Sequence, residues 1–359
     1  MESIRGYFST YQRFDEPGSA ISEASCANPY NEPAPLAACR VGDLGCLDRE
    51  LQKDRSIVYK DYRSVKSGDF VSLLVVAVAE RHAELARLLI HQGANINYVT
   101  KDGYTPLIYA AQEGHVELAQ LLIDNGAYVD QANEKGSTPL TWAAEKGYVE
   151  LTRLLIDKLA NVNLATNMGA TPLHFAVQNA NNEVVRLLIS KGAKVNLATE
   201  GGLTPLFCAA HKGYVELAQL LIDKGAEVNL ATKDGATPLY LAVQEANYEV
   251  ARLLIEKGAN VNLATKNGAT PLYLAAQEGN NEIVGLLLAN GADPEKKMKI
   301  LSLGRFAFTK APLSAARFNG RDKETVKMIK TAIKQRKINP SSECPSLLAG
   351  QYASYGSIR

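Results

Sequence analysis

The triplet Thr-Pro-Leu begins at Thr105, Thr138, Thr171, Thr204, Thr237 and Thr270, and every step is 33 residues. Self-similarity at one fixed period constrains a fold more than any local propensity, because each copy must take an equivalent place in a stack. The unit between Lys233 and Thr265, KDGATPLYLAVQEANYEVARLLIEKGANVNLAT, shows what each copy is built to do. Thr237 is placed to cap a helix, its hydroxyl accepting an orphan backbone N–H. Pro238 follows at the first helical position, where its missing donor costs nothing. Leu239, Ala242 and Val243 fall on one helical face. A second helix is predicted over Tyr248–Lys257, with Val250, Ala251, Leu253, Leu254 and Ile255 as a wide apolar face. Gly258 stands where a helix end needs positive φ, and Asn260–Gly268 carries the turn chemistry of a hairpin-like loop. Two short helices and a loop cannot bury their own apolar face, so the copies must stack and each is core to its neighbours.

The period and the Thr-Pro-Leu-(x)2-Ala core resemble the ankyrin repeat, most closely in TPLHFAVQ at Thr171–Gln178. The resemblance covers about residues 35–337. It implies an all-α fold, an ankyrin-repeat solenoid of paired short helices joined by hairpin-like loops. It also implies a non-enzymatic module or adaptor that binds protein along a concave face. Residues 1–34 are expected to be disordered, 35–71 to form a degenerate N-terminal capping repeat, and 72–302 seven repeats. Residues 303–337 read as a basic C-terminal capping repeat, with Val326, Ile329 and Ile333 on its inner face, and 338–359 as a disordered tail. Eight residues more than the period allows sit in PEKKMKILSLGRFAFTK before that cap. Near-identical central repeats between irregular ends are also similar to effector-like ankyrin proteins of intracellular bacteria, which are exported into a host cell.

Length alone, 359 residues, would imply two or three domains. A solenoid removes that inference, since it grows without one central core. No run of about 18 apolar residues marks a transmembrane helix, and MESIRGYFSTYQRFDEPGS lacks the apolar stretch of a signal peptide. Five scattered cysteines argue against a disulfide framework and for a reducing, intracellular, cytoplasmic setting. Cys39 and Cys46 lack the second Cys/His pair of a zinc site and read as packed small residues. The net charge of +1 hides a division. Residues 295–337 hold 13 Lys+Arg against 3 Asp+Glu, a net of +10, and the remainder carries a net of −9. A basic end of this kind gives the alternative reading, a tether to an anionic membrane or nucleic acid.

No catalytic, cofactor or metal constellation emerges. His82 and His115 follow inter-helix turns, and the resemblance gives His174 a bond between neighbouring loops. Asn163, Asn196, Asn229 and Asn262 are expected to bond their own loops. Leu159 and Arg81 stand where other copies have glycine.

The partner surface implied by the resemblance lies at the loop tips and the exposed end of each first helix. On this sequence it comprises Lys101, Asp102, Gln112, Glu113, Lys135, Lys146, Met168, Leu203 and Lys212, centred on Tyr104, Tyr109 and Trp142. Tyrosine and tryptophan are typical anchors of protein interfaces.

Overall fold

A computed structural model describes residues 32–64, 69–303, 306–318 and 323–338. Most of the disorder expected for residues 1–34 and 338–359 lies outside them, but where they overlap the expectation fails: Glu32 is buried against Arg40, Ala34 begins a helix and Ile338 ends one. The chain opens with α1 (Ala34–Val41) and α2 (Leu44–Lys53), a 3-10 turn at Arg55–Tyr59, and the antiparallel pair β1 (Tyr62–Arg63) and β2 (Phe70–Val71). Seven helix pairs follow: α3 (Leu73–Ala79) with α4 (Ala83–His91), α5 (Pro106–Glu113) with α6 (Val116–Asp124), and α7 (Pro139–Lys146) with α8 (Val149–Asp157). Next come α9 (Pro172–Gln178) with α10 (Asn182–Ser190), α11 (Pro205–Lys212) with α12 (Val215–Asp223), α13 (Pro238–Gln244) with α14 (Tyr248–Glu256), and α15 (Pro271–Glu278) with α16 (Asn281–Ala289). The hairpin β3 (Met298–Leu303) and β4 (Phe306–Lys310) leads to α17 (Pro312–Phe318) and α18 (Lys323–Ile338).

The sequence dictates the unit as read. Thr237 Oγ1 accepts the Tyr240 N–H at 3.2 Å, Pro238 opens the helix, and Gly258 has φ 88°. First helices pack against first helices and second against second, forming two layers along the stack. Leu239, Ala242 and Leu254 are fully buried between them, and one continuous apolar core runs from Leu36 to Ile329. The asparagines act differently from the expectation that they bond their own loops. Their side chains bridge to the following repeat: Asn196 Nδ2 donates to Gly225 O at 2.9 Å, and its Oδ1 accepts Glu227 N–H at 2.9 Å. Asn163, Asn229 and Asn262 make the same pair of hydrogen bonds to the repeat that follows each.

Two features depart from the sequence reading. The extra residues before the last cap form a β-hairpin, so the fold is mostly rather than wholly helical. The inner face of α18 consists of Thr325, Met328 and Ile329, with Val326 and Ile333 only partly buried at its edges. Ile329 was placed correctly; the face is rotated toward Thr325 because that residue packs on the array, bonding Asn281 through its hydroxyl.

Candidate partner-binding site

The loop ahead of α5 is built by Gly103, whose φ of 82° and tight fit leave no room for a side chain. A Cβ there would stand 2.6 Å from Glu134 N. That closeness lets Glu134 N–H bond Asp102 O at 3.2 Å, locking this loop to the next. Tyr104 follows directly, pinned as its N–H donates to Thr100 Oγ1 at 3.0 Å and its carbonyl accepts Thr100 N–H at 2.9 Å. The loop therefore presents the Tyr104 ring against α5 and α7. Its centroid lies 5.4 Å from that of Tyr109 and 6.1 Å from that of Trp142, tilted to both. Tilted rings at such distances satisfy the quadrupole preference of aromatic pairs.

Burial differs within this cluster. Tyr104 and Tyr109 are half-buried, whereas Trp142 is 4% exposed. Burial pushes the Tyr109 hydroxyl up to about 12, with Tyr104, Asp102 and Asp69 acting in the same direction and a bond with Thr100 against it. Around the rings, Lys101, Asp102, Glu113, Lys135 and Lys146 are exposed, and Gln112 is half-buried. Met168, 43% exposed, is presented by the loop ahead of α9, and Lys212 is exposed at the end of α11. Leu203 requires a correction: it is buried in a small cluster with Phe207 and Leu241 and offers no side-chain surface. Trp142 likewise supports the patch from beneath rather than contacting a partner, because Tyr104 lies over it.

Two further residues border the patch: Glu145, which the resemblance also places on this surface, and Phe70, which sequence reasoning missed. Glu145 follows Trp142 by three residues on α7; burial pushes its carboxyl up, and its Oε2 has no hydrogen-bond partner. Phe70, 60% exposed on β2, follows Asp69, whose charge reaches Tyr109. Nothing in the period indicated that strand.

The remaining polar groups do scaffold work. His174 Nδ1 accepts Thr171 N–H at 3.1 Å, and Nε2–H donates to Leu203 O at 3.0 Å, across two loops as expected. Cys39, Cys46 and Cys208 are buried and form no disulfide among the described residues, and burial pushes the Cys208 thiol up to about 12, far from a reactive thiolate. Among the described residues no three His, Cys, Asp or Glu side chains are grouped to hold a metal ion, and no helix is long and apolar enough to cross a membrane.

A stack of interlocked helix pairs that offers loop tips and a half-exposed aromatic patch defines a repeat-built scaffold. Four overlapping stretches, 36–133, 126–199, 158–232 and 206–298, match the family described as ankyrin repeats (3 copies). The match spans well over half of the chain, which therefore belongs to the ankyrin repeat family. No curated protein matches the chain.

Proposed function

We propose that the protein is a non-enzymatic module that holds a protein partner across the loop tips and first helices beginning at Thr105 and Thr138. The observation that carries this reading is the half-exposed Tyr104–Tyr109 pair, backed by Trp142 and ringed by exposed charges. Binding surfaces concentrate affinity in a few aromatic anchors inside a rim of weak contacts. Exposed Lys and Glu contribute little each, so the rings, not the rim, set the affinity.

The test begins with capture of partners by the full chain and identification by mass spectrometry. Tyr104→Ala is then expected to weaken the captured partner about tenfold or more. Because Tyr104 also covers Trp142, the melting temperature is followed in parallel, and Glu113→Lys serves as a rim variant that leaves the rings intact. Unchanged affinity for Tyr104→Ala moves the site elsewhere along the array. The finer reading, an exported bacterial effector, makes that partner a host protein; it is supported by near-identical central repeats between irregular ends. A partner from the producing cell itself overturns it.

A further inference from the structure

The terminal helix α18 has two opposed faces. Thr325, Met328 and Ile329 are buried, and the helix packs on α16 and α17. Lys323, Lys327, Lys330 and Lys334 are exposed. At 3.6 residues per turn these four fall within about 60° of one another, opposite the buried set, along about 16 Å of helix. Val326 and Thr331 border them, and the six residues line one shallow open groove. Ile338, 66% exposed, adjoins the C-terminal end of the row.

The row is not neutralised by its surroundings. Arg336 on the same helix pairs with Asp293, but none of the four lysines has a carboxylate partner among the described residues. In the sequence that follows, residues 339–359 contain a single acid, Glu343. The complement of such a face is an anionic surface.

We infer that the lysine row docks the protein onto an anionic lipid surface, with α18 lying flat at the end of the array. Three observations favour lipid over other polyanions. The charges in the row are all lysine, compact point charges suited to diffuse attraction, whereas arginine forks grip individual phosphates in pairs. No aromatic ring among the groove residues could stack on a base, and no Asn or Gln could read a base edge. Val326 and Ile338 place apolar groups beside the charges, the composition of a helix that settles at a headgroup boundary. The site is separate from the Tyr104 patch and goes beyond the reading given there.

The experiment is co-sedimentation of the full-length protein with phosphatidylcholine vesicles, with and without phosphatidylserine. Binding is expected only with phosphatidylserine and is expected to fall as salt rises. Changing one lysine, as in Lys327→Gln, lowers partitioning about fivefold. The quadruple variant Lys323→Gln/Lys327→Gln/Lys330→Gln/Lys334→Gln lowers it by about two orders of magnitude or more. Its melting temperature stays unchanged because all four side chains are exposed. Lys191→Gln/Lys257→Gln, which removes the same type of charge from second-helix ends, keeps full binding. The inference is overturned by absence of binding to phosphatidylserine vesicles, by equal binding of the quadruple variant, or by tighter binding to duplex DNA at the same salt. Retention of the captured protein partner by the quadruple variant separates this result from the fate of the Tyr104 site.

Discussion

Leu159 carries a left-handed backbone, φ 70°, at a position that Gly258 and its counterparts fill in other repeats. Its side chain is 88% exposed, so no apolar contact offsets the strain. Leu159→Gly is expected to stabilise the array by about 1 kcal/mol, read as a rise in melting temperature. The same junction has a second departure. Where Asn196 donates to the carbonyl of Gly225, Asp130 has no amide to donate to the carbonyl of Leu159 and keeps only the accepting half of the bridge, from Asn161 N–H. Asp130→Asn restores the donor and adds about 0.5–1 kcal/mol. His174 supplies a third residue-scale outcome. Its two bonds fix the neutral tautomer with the proton on Nε2. Burial pushes its pKa from 6.5 to about 4. The unfolded chain therefore takes up this proton first as pH falls. The stabilisation is full above about pH 6.5 and is lost progressively towards pH 4, by up to about 3 kcal/mol. Denaturant melts at about pH 7 and pH 4 should show that loss in the parent and not in His174→Gln; parallel losses would refute the linkage.

At the scale of elements, the N-terminal cap is held by charge as well as by Leu36, Leu47 and Leu51. Arg40 on α1 reaches Glu32 with two bonds of 2.8 Å and Glu80, the C-cap of α3, at 3.0 Å. Arg40 and Glu32 are almost wholly buried. Removing one member of a buried pair costs roughly 3–5 kcal/mol, chiefly through the charge left behind. Arg40→Met is expected to loosen the cap by about that amount, and Glu32→Gln added to it recovers part of the loss in chemical denaturation. A null effect of Arg40→Met would show that the pair contributes nothing net. None of this was legible in the sequence, where the cap showed only as an imperfect copy of the repeat. Regular elements were legible because Thr237, Pro238 and Gly258 each have a local physical duty that the structure uses unchanged. The β3–β4 hairpin was missed although Gly304-Arg305 separates two apolar-rich runs, a recognised hairpin signal, because register counting treats those residues only as excess. For the partner site, the period fixed which column Tyr109, Trp142 and Leu203 occupy but not what covers each. Cover comes from non-periodic residues: Tyr104 over Trp142, and Phe207 with Leu241 around Leu203.

For the whole molecule, stability in a stack is close to a sum of repeat and junction terms, so departures clustered in one place make a local weak point. They cluster in the repeat beginning at Thr138. Its entry junction has Asp130 in place of the bridging asparagine, and its exit turn is strained at Leu159. Its second helix buries Thr152, whose hydroxyl has no hydrogen-bond partner, where Val185 and Ala218 fill the corresponding places. A buried unsatisfied hydroxyl costs about 1–3 kcal/mol. These terms together lower the stability of this repeat relative to its neighbours, and cross-repeat ion pairs such as Lys191–Asp157, both half-exposed, add little against them. The chain has one tryptophan, Trp142, and it lies in this repeat, 4% exposed. Its fluorescence therefore reports local opening, while far-UV circular dichroism reports all the helices. The expected outcome is that fluorescence changes at lower denaturant than dichroism. The triple variant Asp130→Asn/Thr152→Val/Leu159→Gly removes the weak point and keeps Trp142 as the probe, and in it the two transitions merge at higher denaturant. Coincident transitions in the parent protein would show that neighbour coupling outweighs these defects and that the array unfolds as one unit. If the parent transitions separate, partner binding at Tyr104 should draw the fluorescence transition back toward the dichroism transition, since a ligand that binds only the folded repeat stabilises it by mass action.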